Sequence, residues 1–290
     1  DPDAVTTSAF GPFKRVLTSN TYNDLLPSAN FRYNIDDDLV LRLAASRTLT
    51  RPDFSALSGA ISLSPPANIN GVGTGSGGNP ELAPIISTNL DATLEWYYAD
   101  RALLSGSVFS MNIDDYVSLG TVRREFLTID NLHPQGVMVA YDLSVPVGIG
   151  AKVKGFELAW EAPIGENFGA FANFTYADGD TDDGTPMLGT SKNTYNLGGY
   201  FENDRFNARV NYTYRSSFYS GLDRASAFYQ DDVGSLSASL GYKINEQFSV
   251  QLDALNLNNP KTAYYAENKD RPRSIYENGR QYYLNFRFKF

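Results

Sequence analysis

Arg280-Gln281-Tyr282-Tyr283-Leu284-Asn285-Phe286-Arg287-Phe288-Lys289-Phe290 closes the sequence. Tyr282, Leu284, Phe286, Phe288 and Phe290 occupy every second position, with Gln281, Asn285, Arg287 and Lys289 between them. That period gives a strand one oily and one wet face. A soluble sheet with so wide an aromatic face at its free edge would aggregate. A strand between lipid and a polar lumen needs such a face. It must also pair with neighbours, because hydrocarbon offers nothing to a free amide. The stretch predicts an all-β fold, a transmembrane antiparallel β-barrel.

Ten further stretches have the length a tilted strand needs to cross a bilayer. With the last, they run over 24–34, 39–49, 86–98, 102–114, 151–163, 168–177, 190–202, 205–216, 234–243, 247–258 and 280–290. Alternation is clear in Leu90, Ala92, Leu94, Trp96 and Tyr98 against Asn89, Asp91, Thr93 and Glu95. It recurs in Phe206, Ala208, Val210, Tyr212 and Tyr214, and in Phe248, Val250, Leu252 and Ala254. Segment 102–114 is ambiguous in register, as a bulged strand would be.

The connections alternate between short (35–38, 99–101, 165–167, 203–204, 245–246) and long (51–85, 115–150, 178–189, 217–233, 259–279). Outer-membrane barrels have this asymmetry, with tight periplasmic turns and long outside loops. Tyr33, Trp96, Tyr97, Tyr98, Trp160, Tyr200, Phe201, Tyr242, Phe288 and Phe290 fall just before a short turn or at the C-terminus and are expected to form the periplasmic girdle; Tyr176, Tyr212 and Tyr214 are expected to form part of the outer one. If Phe290 ends in the periplasm, eleven alternating segments start outside. Single-chain bacterial barrels have an even strand number and periplasmic termini. An odd set of strands is therefore expected ahead of this sequence, with residues 1–23 as the end of an outside loop.

No run of about 20 apolar residues is present, which excludes membrane helices. Aromatics make up 13% of the chain, 19 Tyr and 18 Phe against two Trp, a density suited to girdles. The absence of cysteine removes disulfides, thiolate metal sites and a cysteine nucleophile. A formal charge of -9 argues against a nucleic-acid partner. No signal peptide stands at Asp1, so the chain is expected to be processed or excerpted.

Leu26-Pro27-Ser28, Arg42 with Ser46-Arg47-Thr48, Arg51-Pro52 and Gly78-Asn79-Pro80-Glu81-Leu82 follow in order, then Gly155-Phe156-Glu157, Leu255-Asn256-Leu257, Arg271-Pro272-Arg273, Tyr276 with Gly279-Arg280, and Phe290. From about Leu25 onward this series resembles the barrel of TonB-dependent outer-membrane receptors, in a proteobacterial branch often tied to carbohydrate scavenging. Ala83 departs from the Lys common in that family before Pro84. The resemblance implies a barrel of about 22 strands, of which about eleven are present here. A plug and a TonB-contacting segment are expected outside this chain. It also implies a non-enzymatic, multi-pass receptor of the bacterial outer membrane, coupled to the TonB-ExbB-ExbD complex and in contact with membrane lipid and lipopolysaccharide. The barrel assembly machinery would read Tyr282, Phe286, Phe288 and Phe290 as an assembly signal. The expected ligand is a scarce small-molecule nutrient, an oligosaccharide ahead of a siderophore or cobalamin, captured by outside loops and admitted by plug displacement. A passive porin or structural barrel is the alternative of another class, against which loops of about 35 residues at 51–85 and 115–150 speak.

The residues themselves offer little catalysis and call for no cofactor. His133, the only histidine, stands in a long loop without a serine motif or carboxylate at telling spacing. Asp91, Glu95, Glu157, Glu161 and Asp253 are expected on the lumen face, meeting Arg42, Arg209, Arg215 and Arg287. Asp178-Gly179-Asp180-Thr181-Asp182-Asp183-Gly184 has alternating carboxylates, but its glycine is one place late and Gly189 holds position twelve, so it reads as an acidic loop rather than a calcium loop. Gly71–Gly78 lacks a lysine and reads as flexible outside-loop material. Tyr116, Arg123, Phe126, Arg215, Tyr219, Tyr229, Tyr264 and Tyr265 are the candidate ligand-binding residues, rings to stack and charges to orient, on loops and the upper lumen. Those rings suit sugars and aromatic chelates equally.

Overall fold

The computed structural model describes residues 5–6, 19–129, 133–223 and 226–290. The loop expected over 1–23 falls outside that set except at 5–6 and 19–23. Among the described residues every regular element is a strand: β1 Val5–Thr6, β2 Ser28–Asn34, β3 Leu39–Thr50, β4 Ile61–Ser64, β5 Gly73–Gly77, β6 Ile85–Ala99, β7 Ala102–Ile129, β8 Val137–Ile164, β9 Phe168–Thr181, β10 Asn193–Glu202, β11 Phe206–Arg215, β12 Phe218–Asp223, β13 Ser226–Gln230, β14 Val233–Lys243, β15 Phe248–Leu255, β16 Lys261–Ala266, β17 Pro272–Glu277 and β18 Gln281–Phe288. The chain divides into two compact units, one of residues 1–27, 47–88 and 112–151, the other of 28–46, 89–111 and 152–290.

In the larger unit the sheet order is β2-β3-β6-β7-β8-β9-β10-β11-β14-β15-β18. Each of the eleven predicted segments overlaps one of these strands. The pairs β2–β3, β9–β10, β10–β11, β11–β14, β14–β15 and β15–β18 are antiparallel. Their register keeps the two faces apart. Phe168, Phe201, Ala208, Leu240, Leu252 and Leu284 stand opposite one another across six strands. On the other face the corresponding row is Gly169, Tyr200, Arg209, Ser239, Asp253 and Tyr283. Leu284 and Phe286 are 58% and 65% exposed, a degree that a continuous apolar face tolerates in lipid and not in water.

Two of the short connections are built by one device. Asn203 accepts hydrogen bonds on its side-chain oxygen from the Arg205 and Phe206 amides, at 3.0 and 2.8 Å. Asn245 does the same for Gln247 and Phe248, at 3.0 and 2.8 Å. Such Asx turns reverse the chain within two residues. Aromatic rings gather beside them: Phe206 with Tyr242 (4.7 Å), Phe168 with Phe201 (4.9 Å), and Trp160 donating to the Tyr98 hydroxyl at 2.8 Å. On the polar face Arg42 meets Glu95 at 2.8 Å, as the sequence leads one to expect. The other expected pairings do not form among the described residues. Asp253 accepts instead from Asn285 (2.8 Å) and Gln251 (2.7 Å), and Arg209 lies 5.7 Å over the Tyr200 ring. The register explains this, since it sets Arg209 directly between Tyr200 and Ser239.

The long connections are not irregular. All five expected as loops carry strand residues: β4 and β5 within 51–85, the extensions of β7 and β8 within 115–150, the end of β9 within 178–189, β12 and β13 within 217–233, β16 and β17 within 259–279. Asp115, one residue beyond the segment read as ambiguous, takes a left-handed φ of 54° inside β7. In the smaller unit β5 runs parallel to β8, Gly73 opposite Tyr141 and Gly75 opposite Leu143, while β4 pairs antiparallel with β5. The glycine-rich stretch is thus a strand rather than flexible material. A Cβ on Gly73 would enter the Tyr141 ring, and one on Gly75 would meet Leu143, so only glycine fits there. Val139, Tyr141, Leu143 and Val145 form the buried core of this unit, with Ile61, Leu63, Val122 and Phe126 against it.

Candidate ligand-binding site

Two hairpins, β12–β13 leading from β11 to β14 and β16–β17 leading from β15 to β18, pair with each other through β13 and β16. The result is a four-stranded antiparallel sheet in the order β12-β13-β16-β17. Aromatic residues at alternate positions line both of its faces. Tyr219, Tyr229 and Tyr265 are opposite in register, their rings 5.7 and 5.4 Å apart. Phe228, Tyr264 and Tyr276 make the second row, at 5.4 and 6.0 Å, and the Tyr264 hydroxyl donates to Gln230 at 3.1 Å. Tyr219 and Tyr265 are only 8% and 9% exposed, whereas Tyr276 is 56% exposed. In the second row Tyr276 is exposed, while Phe228 and Tyr264, like Tyr229, are half-buried. Phe228 and Tyr276 are not among the ligand-binding residues expected from the sequence, although the adjacent pairs Phe228-Tyr229 and Tyr264-Tyr265 carry the signal.

Charge around the sheet is largely neutralised in place. Lys269 bridges Asp231 (2.7 Å) and Asp232 (2.8 Å), Arg273 meets Asp223 at 2.8 Å, and Arg271 pairs with Glu267. Lys261 has no carboxylate partner among the described residues. Arg215 lies 4.0 Å over Phe218 and donates to the Ser191 hydroxyl (3.0 Å) and the Gly189 carbonyl (2.8 Å), fastening the β9–β10 connection to the top of β11. In that connection Asp178 pairs with Lys192 at 2.8 Å, and the Thr181 hydroxyl and Thr185 amide hold the Asp183 carboxyl below its ordinary range.

The Lys269 ammonium, donating to it, holds the Asp232 carboxyl below the usual carboxylate range; the Asp231 and Asp232 carboxylates push Lys269 above the usual lysine range. A depressed carboxylate contributes at neutral pH and loses its contribution as pH falls through its folded value. A raised lysine loses its own only as pH rises through its folded value. The link should therefore persist from about pH 5 to about pH 9 and fail first on acidification below the usual carboxylate range. Amide hydrogen exchange near residues 231–232 and 268–270, corrected for intrinsic rates, is expected to accelerate at pH 3 relative to pH 6. Equal protection at both would refute the linkage.

The remaining candidates lie in the smaller unit. Arg123 forms a two-pronged bond with Asp142, at 2.7 and 2.9 Å, which keeps that carboxyl below its ordinary range. Phe126 packs edge-on against Tyr141 at 5.7 Å, part of the core rather than of an open surface. Tyr116 follows Asp115 in β7. The His133 carbonyl accepts from the Gly136 amide at 3.0 Å in the turn before β8.

A family model described as TonB dependent receptor-like, beta-barrel, matches residues 2–257. The chain belongs to this family. No curated protein matches it. Among solved structures, the siderophore receptor PirA from Acinetobacter baumannii superposes with a TM-score of 0.68 at 17% identity, over 91% of this chain and 41% of that one. A mutant ferric enterobactin receptor, PfeA, from Pseudomonas aeruginosa in complex with enterobactin gives 0.67 at 15%, over 81% and 35%. The copper transporter OprC gives 0.63 at 15%, over 91% and 39%. The chain thus spans about two fifths or less of the length of these solved proteins, and the likeness is one of fold. As a TonB-dependent receptor barrel it belongs among outer-membrane receptors and transporters, and its β2–β18 sheet is part of a barrel wall.

Proposed function

We propose that this TonB-dependent receptor barrel serves the uptake of an oligosaccharide across the outer membrane. The outer hairpins capture the ligand, and energy from the TonB-ExbB-ExbD complex displaces a plug contributed from outside this chain. The observation that carries the proposal is the row of half-buried Phe228 and Tyr264 and exposed Tyr276 on a sheet whose cations are mostly matched by carboxylates. Sugar rings stack their C–H faces on such aromatics and hydrogen-bond to neighbours such as Gln230. A polyanionic iron chelate would look for unpaired cations, and the sheet offers few. Tyr219, Tyr229 and Tyr265 stiffen the sheet from its other face; Arg215 fixes its base. Tyr282, Phe286, Phe288 and Phe290 are proposed as the signal for the barrel assembly machinery.

A second reading, an iron-chelate or copper receptor, draws on the likeness to the siderophore receptor PirA, the ferric enterobactin receptor PfeA and the copper transporter OprC. Uptake of labelled oligosaccharides, neutral and acidic, into cells carrying the full-length receptor separates the two. Saturable uptake that disappears without TonB is expected, with affinity about tenfold lower when Phe228 and Tyr264 are both alanine. Saturable uptake of a ferric chelate and of no oligosaccharide would refute the sugar proposal. TonB-independent, non-saturable uptake would point to a passive pore.

A further inference from the structure

A cleft of about 720 Å³ opens in the smaller unit where β3 ends and before β6 begins, at the end of the strands that the sequence assigns to the outside. Its volume lies in the usual range for small-molecule sites. Tyr22, Pro52, Phe54 and Pro80 give it apolar walls, and Arg51 and Asp53 are its charged groups. Phe54 is 94% exposed. Looseness does not account for that exposure. The turn carrying Phe54 is tied by Ala56 and Leu57 amides donating to the Asp53 carbonyl (3.0 and 3.2 Å), and the Asn79 amide donates to the Ala56 carbonyl at 2.6 Å. Asn79 is anchored in turn through its side-chain amide to the Pro146 carbonyl at 3.0 Å. Arg51 has no carboxylate partner among the described residues, in contrast to Arg123, which faces Asp142 in the same unit.

A large ring held rigidly in water beside an unpaired guanidinium is a costly arrangement for a bare surface and a useful one for a ligand with a ring face and a carboxylate. We infer that this cleft is a binding subsite for an acidic sugar, with Phe54 and Tyr22 against the ring's C–H face and Arg51 in two-pronged contact with its carboxylate. The subsite rests on the oligosaccharide proposal and narrows it to chains containing uronic acid units. Asp53, two residues from Arg51, opposes the anion and sets an upper limit on its affinity.

The test is calorimetric titration of the full-length receptor in lipid nanodiscs with galacturonate and mannuronate trimers, and with maltotriose and cellotriose as neutral partners. A uronate trimer is expected to bind, and Arg51→Gln to weaken it about tenfold while changing neutral trimers less than twofold. Phe54→Ala should weaken both kinds, and Asp53→Asn should tighten the uronate trimer alone. Binding of neutral trimers with no effect of Arg51→Gln on uronates would overturn the subsite and leave the sugar proposal standing. Equal losses for acidic and neutral trimers in Arg51→Gln would also overturn it, by showing a structural role. Failure of every trimer to bind the unaltered receptor would overturn both.

Discussion

Arginine in place of Leu252 is expected to destabilise the inserted barrel by about 2–4 kcal/mol, whereas arginine in place of the adjacent Gln251 should change it by less than about 0.5 kcal/mol. Leu252 sits in the middle of β15, opposite Leu240 on one side and Leu284 on the other, in a row with no polar member from Phe168 to Leu284. A guanidinium there must either enter hydrocarbon or drag headgroups and water toward the midplane. Gln251 points the other way, between Gly241 and Asn285, and already donates to Asp253. An arginine at that position would face the same carboxylate. Reversible unfolding of the full-length receptor from lipid vesicles measures both variants. Equal penalties at the two positions would mean that the polar and apolar faces have been assigned wrongly.

The two faces were legible because the strand period is two and a bilayer filters hard: every residue from Phe206 to Tyr214 has to obey the alternation once lipid lies on one side. The turns were legible for a related reason, since Asn203 and Asn245 are residues whose side chains supply the turn's own hydrogen bonds. What the sequence concealed was the length of β7 and β8. A strand boundary drawn from bilayer thickness stops near Asp114, yet Val139, Tyr141, Leu143 and Val145 continue the alternation well past it, buried at every second position. The same habit turned β12–β13 and β16–β17 into loops, and so spread their rings along the chain as independent candidates. Only pairing of β13 with β16 brings Tyr229 beside Tyr265, and pairing over such separations has no local signature. Arg51 stands in the sequence only as part of the Arg51-Pro52 pattern and Phe54 as one residue of a long connection, because a cleft is a property of three chain segments and not of one.

Tyr141 gives the second large effect. It is fully buried, its ring edge-on to Phe126 at 5.7 Å and its hydroxyl 2.8 Å from that of Thr128, itself 1% exposed. Gly73 lies flat over the ring, which is why β5 can approach β8 closely enough to pair. Tyr141→Ala removes the ring that β5 rests on and is expected to cost about 3–5 kcal/mol. Tyr141→Phe keeps the ring and should cost only about 1 kcal/mol, because Thr128 retains its bond to the Phe126 carbonyl at 3.3 Å. Hydrogen exchange resolves where the loss falls: amides of residues 61–77 and 137–147 should lose protection in the alanine variant, while those of β10, β11 and β14 keep theirs. If all of them lost protection together, the two units would unfold as one, and the outer strands would have to be counted as part of the barrel's own cooperative fold. If protection falls in the smaller unit alone, β4, β5 and the ends of β7 and β8 form a separately stabilised platform. The Arg51–Phe54 cleft could then be altered without disturbing the membrane-spanning wall.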